Sequence, residues 1–211
     1  MTDDTGAAKL LSAWLDKLVA GQVAKELQLD VLEAVQKCQS LVTSAAMKER
    51  LAKFEASRDA KDALAKWREC LYGGNAEEGK KTFIERQDAA CFRCHKINGE
   101  GGEVGPEMAG LGAKQTREYL LESILLPNKT IAPGFESVLV TLKNGTSYAG
   151  MLKSETDTEL VVNSPEDGLL TVKKADVKTR DRGLSAMPEE QGNILSKSDI
   201  RNLIEFLSTL K

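Results

Sequence analysis

The pentapeptide Cys91-Phe92-Arg93-Cys94-His95 constrains this chain more than any other stretch. Its C-x-x-C-H spacing reads as a c-type haem attachment site. On a helical turn, positions i and i+3 share a face, so Cys91 and Cys94 can both present sulfur to the vinyl edge of a porphyrin. His95 then falls beneath the metal as the proximal iron ligand. Zinc is the competing reading, but a structural zinc site wants four ligands, usually from two paired motifs. The chain has no second C-x-x-C, and Cys38 and Cys70 are isolated upstream. His95 is also the single histidine of the 211 residues. Bis-histidine ligation within one chain is thereby excluded, as is a peroxidase-type distal histidine. Methionine, lysine, an amine, water or nothing is left for the sixth position.

The apolar content of 41% and charged content of 29% fit a globular protein. A net charge of −3, with no polybasic block, argues against a nucleic-acid or membrane-surface partner. Apolar runs fall far short of the roughly eighteen residues of a membrane span. Met1-Thr2-Asp3-Asp4 is acidic and lacks the apolar core of a signal peptide. Covalent haem attachment normally takes place outside the cytoplasmic membrane. The expectation is therefore a periplasmic or otherwise extracytoplasmic protein, either with its signal removed or as a fragment of a longer exported chain.

Apolar spacing predicts helices throughout residues 7–71: one through Leu10, Leu15 and Leu18 stopping near Gly21, a second from Val23 to Val35, a third from Leu41 to Phe54 and a fourth from Asp59 to Leu71. Such a region (1–72) is expected to be a small bundle or the tail of a helical-repeat array. Cys38 and Cys70, on different helices, are either buried thiols or one disulfide. Gly73-Gly74-Asn75 marks a domain boundary. A helix from Ala76 to Arg86 then carries Gly79 and Phe83 on one face, where a glycine allows close approach of the last helix, Ser198 to Leu210, with Ser198 as its cap. That crossing would enclose the haem edge.

The glycines between Gly99 and Gly105 are expected to let backbone pass close to the porphyrin. Without a following Gly-Lys-Ser/Thr they are no phosphate loop. One helix is expected within Met108 to Leu126, ended by Pro127. From about residue 135 to 181 the period changes to two. Five short strands are predicted, the first two joined by a type I′ turn at Asn144-Gly145. Their pattern is similar to an SH3-like or Sm-like barrel in shape alone, without the aromatics and basic stripe of an RNA-binding surface. With histidine excluded, Met187 is the best sixth ligand, because Pro188 fixes the backbone beside it. Met108 is the runner-up, and Met151 falls within a predicted strand. Met/His ligation is the cytochrome c pattern.

The ordered set Gly79, Phe83, Cys91-x-x-Cys94-His95, Gly105-Pro106, Met187-Pro188 and Phe206 resembles class I cytochrome c. More narrowly, residues 73–211 resemble the haem-binding domain of planctomycete and verrucomicrobial proteins, which often ends a long exported dehydrogenase-like chain. The stretches Gly74-Asn75-Ala76-Glu77-Glu78-Gly79, Leu121-Glu122-Ser123-Ile124, Ile131-Ala132-Pro133-Gly134-Phe135 and Leu184-Ser185-Ala186-Met187-Pro188 carry that likeness. The resemblance implies a mainly helical cytochrome c-like domain with a β insertion, and one covalent haem c. It also implies thioether bonds from Cys91 and Cys94, axial ligation by His95 and Met187, and a Pro106 carbonyl accepting a hydrogen bond from the His95 ring. Residues 1–72 would be the tail of a preceding helical region.

The expected function is one-electron transfer from a dehydrogenase donor, on the same chain or a partner, to a respiratory acceptor, with no enzymatic step by the chain itself. A haem-based sensor with a displaceable sixth ligand is the alternative. A further one is an interaction module in which haem is structural. A Ser-His or Cys-His nucleophile pair has no second histidine to draw on.

Overall fold

The computed structural model describes residues 4–38, 44–164 and 166–211. It combines a helical part with a five-stranded sheet. By their contacts the residues divide into two compact units. One comprises Met1–Arg86, Leu111–Leu121 and Leu195–Lys211; the other comprises Gln87–Gly110 and Glu122–Ile194.

The first unit opens with the helix Asp4–Val19. Gly21, at φ 69°, ends it as expected: the Gly21 amide returns to the Leu18 carbonyl and the Gln22 amide to Lys17. A 3₁₀ turn, Lys25–Leu27, leads into the helix Gln28–Lys37, and Ala45–Ala56 follows. Leu15, Leu18, Val23, Val31, Leu32, Val35 and Met47 form their common core. Leu41, expected at the start of the third helix, lies outside the described residues. The fourth expected helix does not form. Asp59 and Asp62 turn their carboxylates onto the amides of Lys61 and Leu64, which competes with helical bonding, and only the 3₁₀ stretch Ala65–Cys70 remains. Cys70 is a buried free thiol, so the alternative bridge to Cys38 is not formed.

The helix Ala76–Glu85 starts on Asn75, whose side chain accepts from the amides of Glu77 and Glu78. It crosses the C-terminal helix Lys197–Thr209 closely. A Cβ at Gly79 would sit 1.9 Å from the Asn202 carbonyl oxygen, and the Phe83 and Phe206 rings pack at 5.9 Å. The cap of the terminal helix is Ser196 rather than the expected Ser198. Ser196 and Asp199 form a reciprocal capping box, while Ser198 donates to Glu33. Lys197 and Arg58 both bond the buried Glu69, and Arg201 pairs with Asp30. These contacts tie segments from both sides of residues 72 and 73 into one unit.

The helix expected within Met108–Leu126 is two pieces, Leu111–Lys114 and Arg117–Leu125. Thr116 divides them: its hydroxyl accepts from the Tyr119 amide and so starts the second piece.

The second unit holds a short hairpin, β1 (Lys96–Ile97) with β2 (Glu100–Gly101), and five further strands: β3 (Ser137–Leu142), β4 (Ser147–Glu155), β5 (Glu159–Ser164), β6 (Gly168–Lys173) and β7 (Val177–Arg182). The five form one sheet in the order β6-β5-β4-β3-β7, every pair antiparallel. Alternation buries Val138, Val140, Leu160, Val162 and Val172 on one face as a separate core. The β3–β4 turn differs from the type I′ expectation. Gly145 has φ 91°, but Asn144 does not join it at positive φ. The Gly145 amide bonds the Leu142 carbonyl, and the Leu142 amide bonds Thr146. That is a three-residue loop with glycine in the left-handed position. Asn144 instead uses its side chain to accept from the Thr146 amide.

Candidate haem-attachment site

The C-x-x-C-H motif lies in the second unit and begins with a left-handed residue. Ala90, at φ 51°, precedes the single turn Cys91–Cys94, in which the His95 amide bonds back to the Cys91 carbonyl. A non-glycine residue there costs on the order of 1–2 kcal/mol and persists only where its surroundings hold it. The buried Gln191 contributes, its Nε2 donating to the Ala89 carbonyl at 3.4 Å. The Cys91 Sγ lies 3.9 Å from that same carbonyl. The turn places both cysteines, half-buried, one helical turn apart.

Beyond His95 the chain makes a small hairpin that the sequence reading did not anticipate, β1 (Lys96–Ile97) with β2 (Glu100–Gly101). Its turn residues Asn98 and Gly99 both have positive φ, at 53° and 85°. An Asn-Gly pair favours this geometry and could have signalled it.

The close approaches seen at Gly101, Gly102 and Gly105 are to the motif itself. A Cβ on Gly102 would lie 1.9 Å from the Arg93 carbonyl oxygen, and one on Gly105 would lie 2.4 Å from Cε1 of the His95 ring. The Gly102 amide bonds the Phe92 carbonyl, the Gly105 amide bonds Cys94, and the Met108 amide bonds Lys96. The loop is laced onto the motif residue by residue, with a Lys96–Glu103 ion pair at its rim.

His95 Nδ1 lies 2.9 Å from the Pro106 carbonyl oxygen. A carbonyl can only accept, so Nδ1 carries the proton and donates, which leaves the metal-binding lone pair on Nε2. Burial pushes the ring below its usual pKa, against the Pro106 hydrogen bond, which favours the charged form. The ring is thereby neutral at neutral pH, the form that binds a metal. A ring fixed in tautomer and orientation by a backbone carbonyl, with glycine packed against it and both thiols in the turn directly before it, fits an axial haem ligand. Among the described residues no three His, Cys, Asp or Glu side chains gather as a group that could hold a metal ion.

Met187 lies half-buried in a bend between β7 and the short helix Gln191–Ile194, and its amide donates to Ser185 Oγ at 3.1 Å. Met108 is buried directly after the glycine loop, and Met151 sits half-buried on β4.

The turn thus carries the C-x-x-C-H arrangement that haem attachment requires. A family model described as Cytochrome c matches residues 76–163, a stretch that holds the motif, Gly105 and Pro106 and ends before Met187. The match supports a cytochrome c-like domain with covalently bound haem c, and an electron carrier rather than an enzyme. A search of curated proteins finds no match. Among the described residues no helix is long and apolar enough to cross a membrane.

Proposed function

We propose that the chain carries one haem c on residues 73–211 and passes single electrons with histidine and methionine as axial ligands. Cys91 and Cys94 would hold the group through thioether bonds, and His95 through Nε2. Met187 would hold the sixth position. When bound, haem c supplies a one-electron couple between ferrous and ferric iron. The chain's residues do the rest. The Pro106 carbonyl orients His95 and raises its basicity. The glycine loop fastens the motif through backbone hydrogen bonds, and a thioether at the sixth position would raise the potential and keep water off the iron.

The observation that carries this reading is the Nδ1–H hydrogen bond from His95 to Pro106, with Gly105 packed on the ring. Electrons would arrive from a dehydrogenase, on the same chain or a partner, and leave to a respiratory carrier, in an extracytoplasmic compartment where haem is attached. The sheet supports an SH3-like barrel insertion: its last strand returns beside its first, after a 3₁₀ turn at Lys174–Asp176.

Absorption spectra of the matured protein, oxidised and reduced, test the reading. The expected result is a low-spin spectrum with the weak near-infrared band of thioether-bound ferric haem, lost in Met187→Ala, and no carbon monoxide binding by the native protein. A high-spin spectrum with ready carbon monoxide binding would instead assign a sensor with an open sixth position.

A further inference from the structure

We propose that Asn128 is the positioning residue for Met187, an inference that rests on reading Met187 as the sixth ligand. Asn128 lies 59 positions before Met187 in the sequence, just past the helix Arg117–Leu125, yet its half-buried side chain grips the methionine loop on both sides. Oδ1 accepts from the Ser185 amide at 2.6 Å, and Nδ2 donates to Glu189 Oε1 at 2.5 Å. The Asn128 carbonyl also accepts from Arg182 Nη2 at 2.9 Å.

These partners fix the orientation of the amide. A backbone N–H can meet only the oxygen, and a carboxylate can meet only the NH₂. One side chain therefore bonds the residue two before Met187 and the residue two after it, using its acceptor on one side and its donor on the other. Inside the loop the Met187 amide donates to Ser185 Oγ, so the anchor at Ser185 passes directly to the methionine. Ser137 Oγ bonds the neighbouring Leu184 carbonyl, and Pro188 fixes its own φ.

The chemistry makes such a clamp consequential. A neutral thioether is a weaker iron ligand than imidazole, so its hold depends on being presented in place rather than on intrinsic affinity. A loop fastened at Ser185 and Glu189 has lost beforehand the freedom that ligation would otherwise remove. Aspartate could keep the Ser185 bond but would set a second carboxylate against Glu189. Alanine would keep neither. Asn128 acts through Met187 and is given no contact with the haem.

The test uses the full chain, matured with haem, and reads covalent haem by mass, the near-infrared band, and displacement of the sixth ligand by imidazole. Asn128→Ala is expected to retain covalent haem while imidazole displaces the ligand at about tenfold to hundredfold lower concentration, the loss of two hydrogen bonds. Glu189→Ala, which removes one arm at an exposed position, should shift the same titration by a smaller factor. If Asn128→Ala does not accumulate, Glu189→Ala decides alone, a shift supporting the proposal and no shift overturning it. Native titrations in both variants, with the band lost in Met187→Ala, would overturn the clamp and leave the Met187 reading standing. A band that survives in Met187→Ala would overturn both.

Discussion

Gly105 makes contact with the His95 ring through the absence of a side chain. Its backbone lies where a Cβ would sit 2.4 Å from Cε1, 2.6 Å from Nδ1 and 2.9 Å from Nε2, distances real Cβ atoms do not adopt. Gly105→Ala must therefore displace the ring or the loop, and either movement breaks the Nδ1–Pro106 hydrogen bond. Overpacking of this kind costs about 1–3 kcal/mol. The expected outcome is a fall in covalent haem per protein and weakened His95 ligation, read as haem absorbance after maturation. Val104→Ala, at the exposed neighbouring position, should leave both unchanged. Normal loading of Gly105→Ala would show that the ring tolerates another pose. The motif and the Gly105-Pro106 pair were legible in the sequence, because their spacing is local and each residue type answers one chemical need. Asn128 was not, since its role arises from partners 54 to 61 positions away that only the folded chain assembles.

At the scale of the element, the C-terminal helix shows how far local rules reach. Its amphipathic face and its close crossing over Gly79 followed from spacing, but its start did not. Both Ser196 and Ser198 can cap, and what separates them is Asp199, which stands three residues after Ser196 and completes the reciprocal box. The missing fourth helix has the same origin, since short polar side chains at Asp59 and Asp62 bond the backbone in competition with helix formation. The box also makes the helix sensitive to acid. Burial alone would raise the Asp199 pKa, but hydrogen bonds from Ser196, side chain and backbone, and the Arg86 guanidinium outweigh it and hold the carboxyl below its ordinary value. A carboxylate lowered in the folded state stabilises the fold above its unfolded-state pKa, and that contribution is lost as pH falls through the folded value. Ser196→Ala is expected to lower the unfolding free energy by about 1 kcal/mol at neutral pH. The difference should narrow in acid, where protonated Asp199 no longer accepts as strongly. Denaturant midpoints across that range check both statements, and a penalty that does not change with pH would show that Asp199 takes no part in the cap.

At the scale of the whole molecule, the sheet is set into the chain so that its two ends meet. The Gly183 amide bonds the Ser137 carbonyl at 2.8 Å, and Ser137 Oγ bonds Leu184, so the chain leaves at residue 137 and returns beside it. Between these points the strands bury Val138, Val140, Leu160, Val162 and Val172 among themselves. A segment with adjacent ends and its own core can be removed with little loop-closure penalty, because a few residues suffice to bridge the gap. Replacing residues 138–182 by a short Gly/Ser linker takes away Arg182 and its bond to the Asn128 carbonyl, but leaves the Asn128 side-chain bonds to Ser185 and Glu189. The excised chain is therefore expected to load haem through the C-x-x-C-H turn and to keep the near-infrared methionine band, while its circular dichroism loses the strand contribution. Haem loading without that band, accompanied by carbon monoxide binding to the reduced protein, would mean that the sheet itself holds Met187 in place. The insertion would then set ligation at the sixth position, and the Asn128 clamp would need the Arg182 arm to act.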